Sequence, residues 1–178
     1  MPEPSVHVLL AQAIAHHQAG NLDQADSNYR AVLDLESNHA DAWHLRGVLA
    51  HQLGHYADAC QFIERALDFS QRPGLYLNSL GLALVALNRM GEAEAAYREA
   101  LTQDKGQIQW WRNLAQALFA QGKLAEAVQA CQQILQLNAQ ESAAYKLLGN
   151  IYDVSGETEA AIGDADARRD RGDRRLFR

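Results

Sequence analysis

The densest set of reactive side chains is "AWHLRGVLAHQLGHYADA", residues 42–59, which holds three histidines, an arginine and a tryptophan among apolar residues. Imidazoles at such density could ligate a divalent metal or carry protons near neutral pH. All seven histidines (His7, His16, His17, His39, His44, His51, His55) lie in the first 55 residues. His44 and His51 stand seven apart, so on a helix they share a face but sit about 10 Å apart along the axis. A helical zinc pair needs ligands four apart with further donors close by. The spacing therefore favours ordinary, partly exposed imidazoles. A surface whose affinity varies with pH comes second and a metal site last.

Nucleophilic chemistry has less support. The two cysteines, Cys60 and Cys131, are too few and too far apart for a disulfide framework or a zinc site. Neither Gly-x-Ser-x-Gly, a P-loop nor Gly-x-Gly-x-x-Gly occurs. Acid pairs such as Glu92 with Glu94 fall where helices begin, and there carboxylates complement the helix dipole. No catalytic residue, metal or cofactor is expected.

The elements that would position these groups are helical. Of 178 residues, 48% are hydrophobic and 21% charged, and only three are proline, two of them Pro2 and Pro4. The net charge of −6 lacks the basic footprint of a nucleic-acid binder. The first residues show no basic region before a long apolar run, and nothing approaches 18 consecutive apolar residues, so neither a signal peptide nor a membrane span is expected. A cytoplasmic setting follows as the default.

The chain repeats itself. "GNLDQADSNYRAVLDLE" from Gly20, "GHYADACQFIERALDFS" from Gly54, "NRMGEAEAAYREALTQD" from Asn88, "GKLAEAVQACQQILQLN" from Gly122 and "GETEAAIGDADARRDRG" from Gly156 start 34 residues apart each time. Ala25, Ala59, Ala93, Ala127 and Ala161 occupy one column. Ala13, Gly47, Gly81, Ala115 and Gly149 occupy another, and Leu9, Trp43, Leu77, Trp111 and Tyr145 a third. Small residues let helices approach and the large ones fill the space between them. Gly or Asn at each start suits the left-handed residue that ends a helix. Each unit thus reads as helix A, a tight turn, helix B and a short link, with Trp43, Gly47 and Ala50 on one amphipathic stripe.

These columns resemble the tetratricopeptide repeat (TPR), most closely in "WHLRGVLAHQLGHYADACQFIERAL" and "YLNSLGLALVALNRMGEAEAAYREAL". The resemblance implies an all-α fold, an α-solenoid of helix-turn-helix units winding into a right-handed superhelix with a concave groove. The expected organisation is a lead over 1–5, repeats at 6–39, 40–73, 74–107, 108–141 and 142–162 (the last lacking a complete second helix), and an Arg/Asp-rich tail or cap over 163–178. That tail has six Arg against four Asp and no apolar stripe. The family's usual proline after helix B is missing, and Gln12 and Arg46 replace its usual leucine. Arg46 therefore needs an acidic partner, or the first repeats pack less tightly.

In this family helix A lines the groove, and ligands contact its second, fifth, sixth, ninth, twelfth and thirteenth positions. Carried over by position, the first repeat offers His7, Leu10, Ile14 and His17. The second offers Asp41, His44, Val48, His51 and Gln52. The third offers Leu75, Asn78, Ser79, Leu82 and Val85, and the fourth Gln109, Arg112, Asn113, Gln116 and Phe119. The fifth offers Lys146, Asn150 and Asp153. The expected contacts are His44, His51, Asn78, Leu82, Val85, Arg112, Asn113, Gln116, Phe119, Lys146 and Asn150. Apolar residues in the middle and amides with two cations at the far end suit a peptide with an apolar anchor.

The resulting expectation is a non-catalytic scaffold for a protein or peptide partner, without nucleic acid or membrane insertion. The alternatives are the recognition region of a larger bacterial transferase (glycosyltransferase- or sulfotransferase-like), or a homo-oligomer assembled through array ends.

Overall fold

A computed structural model describes residues 5–156. Among them are nine α-helices and no strand. The helices fall into two compact bodies, divided after Gln103. The first holds α1 (Val6–Gln18), α2 (Leu22–Leu35), α3 (Ala40–Gln52), α4 (Tyr56–Asp68), α5 (Gly74–Ala86) and α6 (Met90–Gln103). The second holds α7 (Ile108–Ala120), α8 (Leu124–Leu137) and α9 (Ser142–Ser155). The Arg/Asp-rich segment 163–178 and the expected second helix of the fifth repeat lie outside the described residues.

In the first body three antiparallel hairpins, α1–α2, α3–α4 and α5–α6, pack in series, each second helix against the next first helix. The second body repeats the motif with α7–α8 and then α9. The columns of small and large residues become the core. Ala13, Ala25, Ala59, Ala93, Ala115 and Ala127 are wholly buried. A Cβ added at Gly47 would lie 2.5 Å from Ile63 Cγ1, and one added at Gly81 would overlap the Tyr97 ring. Those glycines set how closely each hairpin closes.

Every A-to-B turn between described helices is made the same way. Gly20, Gly54, Asn88 and Gly122 adopt left-handed backbone, with φ of 78°, 80°, 59° and 73°. In the first hairpin the Gly20 amide donates to the His17 carbonyl (3.1 Å) and the Asn21 amide to the His16 carbonyl (2.9 Å). This pair of bonds recurs at Gly54 and His55, at Asn88 and Arg89, and at Gly122 and Lys123, so the last carbonyls of each A helix are satisfied by a Schellman motif.

The links that lack the family's proline are held by side chains. The Trp43 indole donates to the Ser37 carbonyl (2.8 Å), Trp111 to that of Lys105 (2.9 Å), and the Tyr145 hydroxyl to that of Ala139 (3.0 Å). In each case the fourth residue of helix A reaches back six positions and closes the link. The third repeat has Leu77 at that position. There Gln103 does the work, donating to the Arg72 carbonyl (2.7 Å) and accepting from the Gly74 amide (2.8 Å). Glu99 holds the Arg72 guanidinium through two bonds, of 2.7 and 3.0 Å.

Arg46 does find an acid. Its Nε donates to Asp26 (2.8 Å), and its guanidinium lies 4.3 Å above the Phe62 ring. A cation in a leucine position is thus paired on one side and stacked on the other.

Candidate functional site

The A helices of the first body, α1, α3 and α5, are joined by side chains, most of them from the groove columns, with Tyr76 from outside those columns. His17 Nε2 is 2.9 Å from Gln52 Oε1, joining α1 to α3. The other nitrogen of that ring is 3.2 Å from the Tyr29 hydroxyl, which burial pushes up to about 12. Between α3 and α5, the Tyr76 hydroxyl donates to the Asp41 carboxylate, and His44 Nε2 is 2.9 Å from Ser79 Oγ. The His44 ring stacks on Tyr76.

His44 was expected to be a partly exposed imidazole. It is only 5% exposed, because Tyr76 covers its face and Ser79 its edge. Burial lowers its pKa to about 4 against a smaller opposing effect of Asp41, so the ring is neutral at physiological pH. The Ser79 hydroxyl also lies 3.0 Å from the Leu75 carbonyl and donates to it. A serine whose proton is so engaged, beside a weakly basic ring, is a structural pair and not a nucleophile with its base. His51 is half-buried against Tyr56, with ring centroids 5.3 Å apart.

The remaining expected contacts separate by exposure. In the first body, Asn78 is 7% exposed and Val85 half-buried, whereas Leu82 at 38% opens to solvent. In the second body, Asn113 is 6% exposed and its side-chain oxygen accepts from Gln109 (2.9 Å). Arg112 is ion-paired to Glu141 at 3.0 Å and, like Phe119, half-buried. Gln116, Lys146 and Asn150 are exposed. Of the expected contacts, His44 and Asn78 in the first body and Asn113 in the second are thus buried, whereas Leu82 in the first body and Gln116, Lys146 and Asn150 in the second are exposed.

Reading by columns missed the bonds that step 35 residues, one repeat plus one. Each joins two different columns, so no single column displays the signal.

Cys60 and Cys131 are buried free thiols, and burial pushes Cys131 up to about 11. Among the described residues no three His, Cys, Asp or Glu side chains are placed to hold a metal ion, and no helix is long and apolar enough to cross a membrane.

The family model for the tetratricopeptide repeat matches residues 10–76, 70–108, 78–142 and 113–174. No curated protein matches the chain. Among solved structures it is similar to YrrB, described as a TPR protein with an unusual peptide-binding site, at 21% identity and a TM-score of 0.80 over 89% of this chain and 82% of that one. It is also similar to the MamA protein, at 17% identity and a TM-score of 0.83 over 89% of this chain and 86% of that one. A MamA fragment from Desulfovibrio magneticus RS-1 matches at 19% identity with a TM-score of 0.72, over 77% of each chain. Identities this low speak to the fold.

Proposed function

Because the chain belongs to the tetratricopeptide repeat family, we propose that it is a non-catalytic scaffold that holds a protein or peptide partner on the faces of its A helices. The observation that carries this reading is the side-chain bonding between successive A helices of the first body. A face fixed in this way is pre-organised, and little entropy is lost in ordering it when a partner binds. The likeness to YrrB, whose description includes a peptide-binding site, supports the same reading.

In the first body the contacts are His51, Leu82 and Val85, with His44 and Asn78 fixing the surface behind them. In the second body Gln116, Phe119, Lys146 and Asn150 make contacts, Arg112 and Asn113 set orientation, and Lys146 favours an acidic group on the partner.

The test uses peptides selected against the full chain from a random display library. Leu82→Ser combined with Lys146→Glu should weaken their binding by about tenfold or more. Peptides that bind this double variant as tightly as the parent would place binding elsewhere.

A further inference from the structure

Two imidazoles join A helices in the first body, and a proton affects their bonds differently. The Gln52 side-chain oxygen can only accept, so His17 donates to it from Nε2. The other nitrogen of His17 faces the Tyr29 hydroxyl, a group that can donate or accept. A proton added at Nδ1 turns that bond round and breaks neither. The joint between α1 and α3 therefore closes with the ring neutral or charged.

His44 has no such freedom. The Ser79 hydroxyl donates to the Leu75 carbonyl (3.0 Å), so toward the ring it accepts, and His44 donates from Nε2 at 2.9 Å. In the neutral ring Nδ1 carries the lone pair, and a further proton must enter there. The charge would then sit in a ring that is 5% exposed and stacked on Tyr76, with centroids 4.1 Å apart. The face of a phenol attracts a cation, but weakly beside the hydration that an enclosed charge loses.

The charges around the ring do not offset this loss. Asp41, on α3 itself, favours a proton on His44 less strongly than burial opposes it, and its carboxylate accepts the Tyr76 hydroxyl. From α5 come the Tyr76 and Ser79 hydroxyls. On the sides of α2 and α4, Asp26 bonds Arg46, which stacks on Phe62. Arg46 is two residues from His44 and so lies on another face of α3. Tyr56 of α4 lies against His51 instead. Meanwhile α4 packs directly against α5, and neither contains a histidine. The third repeat thus stays attached when its A helix lets go of α3.

Resting on the binding face described above, we propose that proton gain at His44 is a release device: it opens the joint between α3 and α5, leaves the joint between α1 and α3 closed, and so frees a peptide held across the second and third repeats. The charged ring leaves Tyr76 for solvent, Ser79 loses its donor, and the face of α5 is no longer fixed to that of α3. A partner that binds only the closed face is held in proportion to the fraction of closed joints.

The experiment follows both joints in the isotopically labelled full chain by nuclear magnetic resonance from pH 7 to 3.5, over the range where circular dichroism shows the helices intact. Overhauser contacts of Tyr76 with Asp41 should vanish toward acid, while those of His17 with Gln52 persist. His44→Lys, charged throughout, should show the same pattern already at pH 7. Peptides selected at pH 7 from a display library should bind the parent about fourfold more weakly at pH 3.5, and His44→Gln should bind them equally at both. Tyr76 contacts that persist in His44→Lys or throughout the acid range would overturn the proposal. So would His17 contacts that vanish together with them. If the joint opens but the parent and His44→Gln lose affinity alike, the release falls and the binding face stands. If no peptide binds at pH 7, the binding face falls and the release with it.

Discussion

The His44 ring lies flat on the Tyr76 ring, centroids 4.1 Å apart and planes 16° from parallel. With the bond to Ser79 and the Tyr76–Asp41 bond, it forms a partly buried joint between the second and third repeats. Backbone turns and small residues make each hairpin. This joint fixes one hairpin's A helix to the next.

That joint should be weakened by acid. The His44 pKa is about 4 in the folded chain against 6.5 ordinarily, so the unfolded chain binds more protons between those values. Stability contributed by neutral His44 is complete above about pH 6.5, falls as pH drops through the window, and is lost below about pH 4. The full effect is on the order of 3 kcal/mol. Urea melts of the parent and His44→Gln from pH 4 to 7 should converge toward the acid end. Parallel pH dependences would show that His44 does not titrate across this window.

Two glycines of one column should respond oppositely to alanine. Gly81→Ala forces a methyl into the Tyr97 ring and should cost about 1–3 kcal/mol. Gly149 meets no described atom within 4 Å, so Gly149→Ala gains only helix propensity and should stabilise by about 0.5–1 kcal/mol. Thermal melts by circular dichroism report the sign. A destabilised Gly149→Ala would mean that something packs on that face of α9.

The contrast also shows what could be read in advance. The register named Gly20, Gly54, Asn88 and Gly122 as turns and Gly47 and Gly81 as close-approach sites, because each demand recurs at a fixed column and admits few residue types. The joints did not recur in that way. His17–Gln52, Asp41–Tyr76 and His44–Ser79 use different chemistry at related places, and each needs two columns considered together. His44 therefore looked like an ordinary imidazole until Tyr76, 32 residues on, was seen covering it. The indole bonds of Trp43 and Trp111 to their links were hidden for another reason: the large apolar column explains those residues by volume alone.

Asn88 stands at φ 59° where the other turns have glycine. Asn88→Gly removes a side chain from a left-handed position and should stabilise the third hairpin by up to about 1 kcal/mol. Asn88→Ala should lower stability by a similar amount, because alanine lacks the local hydrogen bonding that lets asparagine tolerate this conformation. Equal melting curves for both variants would show that the turn relaxes away from the left-handed region.

Arg46 poses the most informative stability question, since it combines a cation with a core position. Its side chain is 15% exposed, bonded to Asp26 and stacked on Phe62, while Asp26 also pairs with Arg30 at 2.7 Å. Removing one partner of an enclosed pair usually costs more than replacing it by a hydrophobe of similar volume. In Arg46→Leu, the Arg30 pair continues to neutralise Asp26 and leucine covers Phe62, so stability should change by less than about 1 kcal/mol. Arg46→Ala leaves Phe62 uncovered and a void against α4, and should cost about 2–3 kcal/mol. Denaturant melts of the two variants beside the parent decide the matter. Equal losses would assign the position's stability to the Asp26 bond, whereas a near-neutral leucine with a costly alanine assigns it to packing against α4.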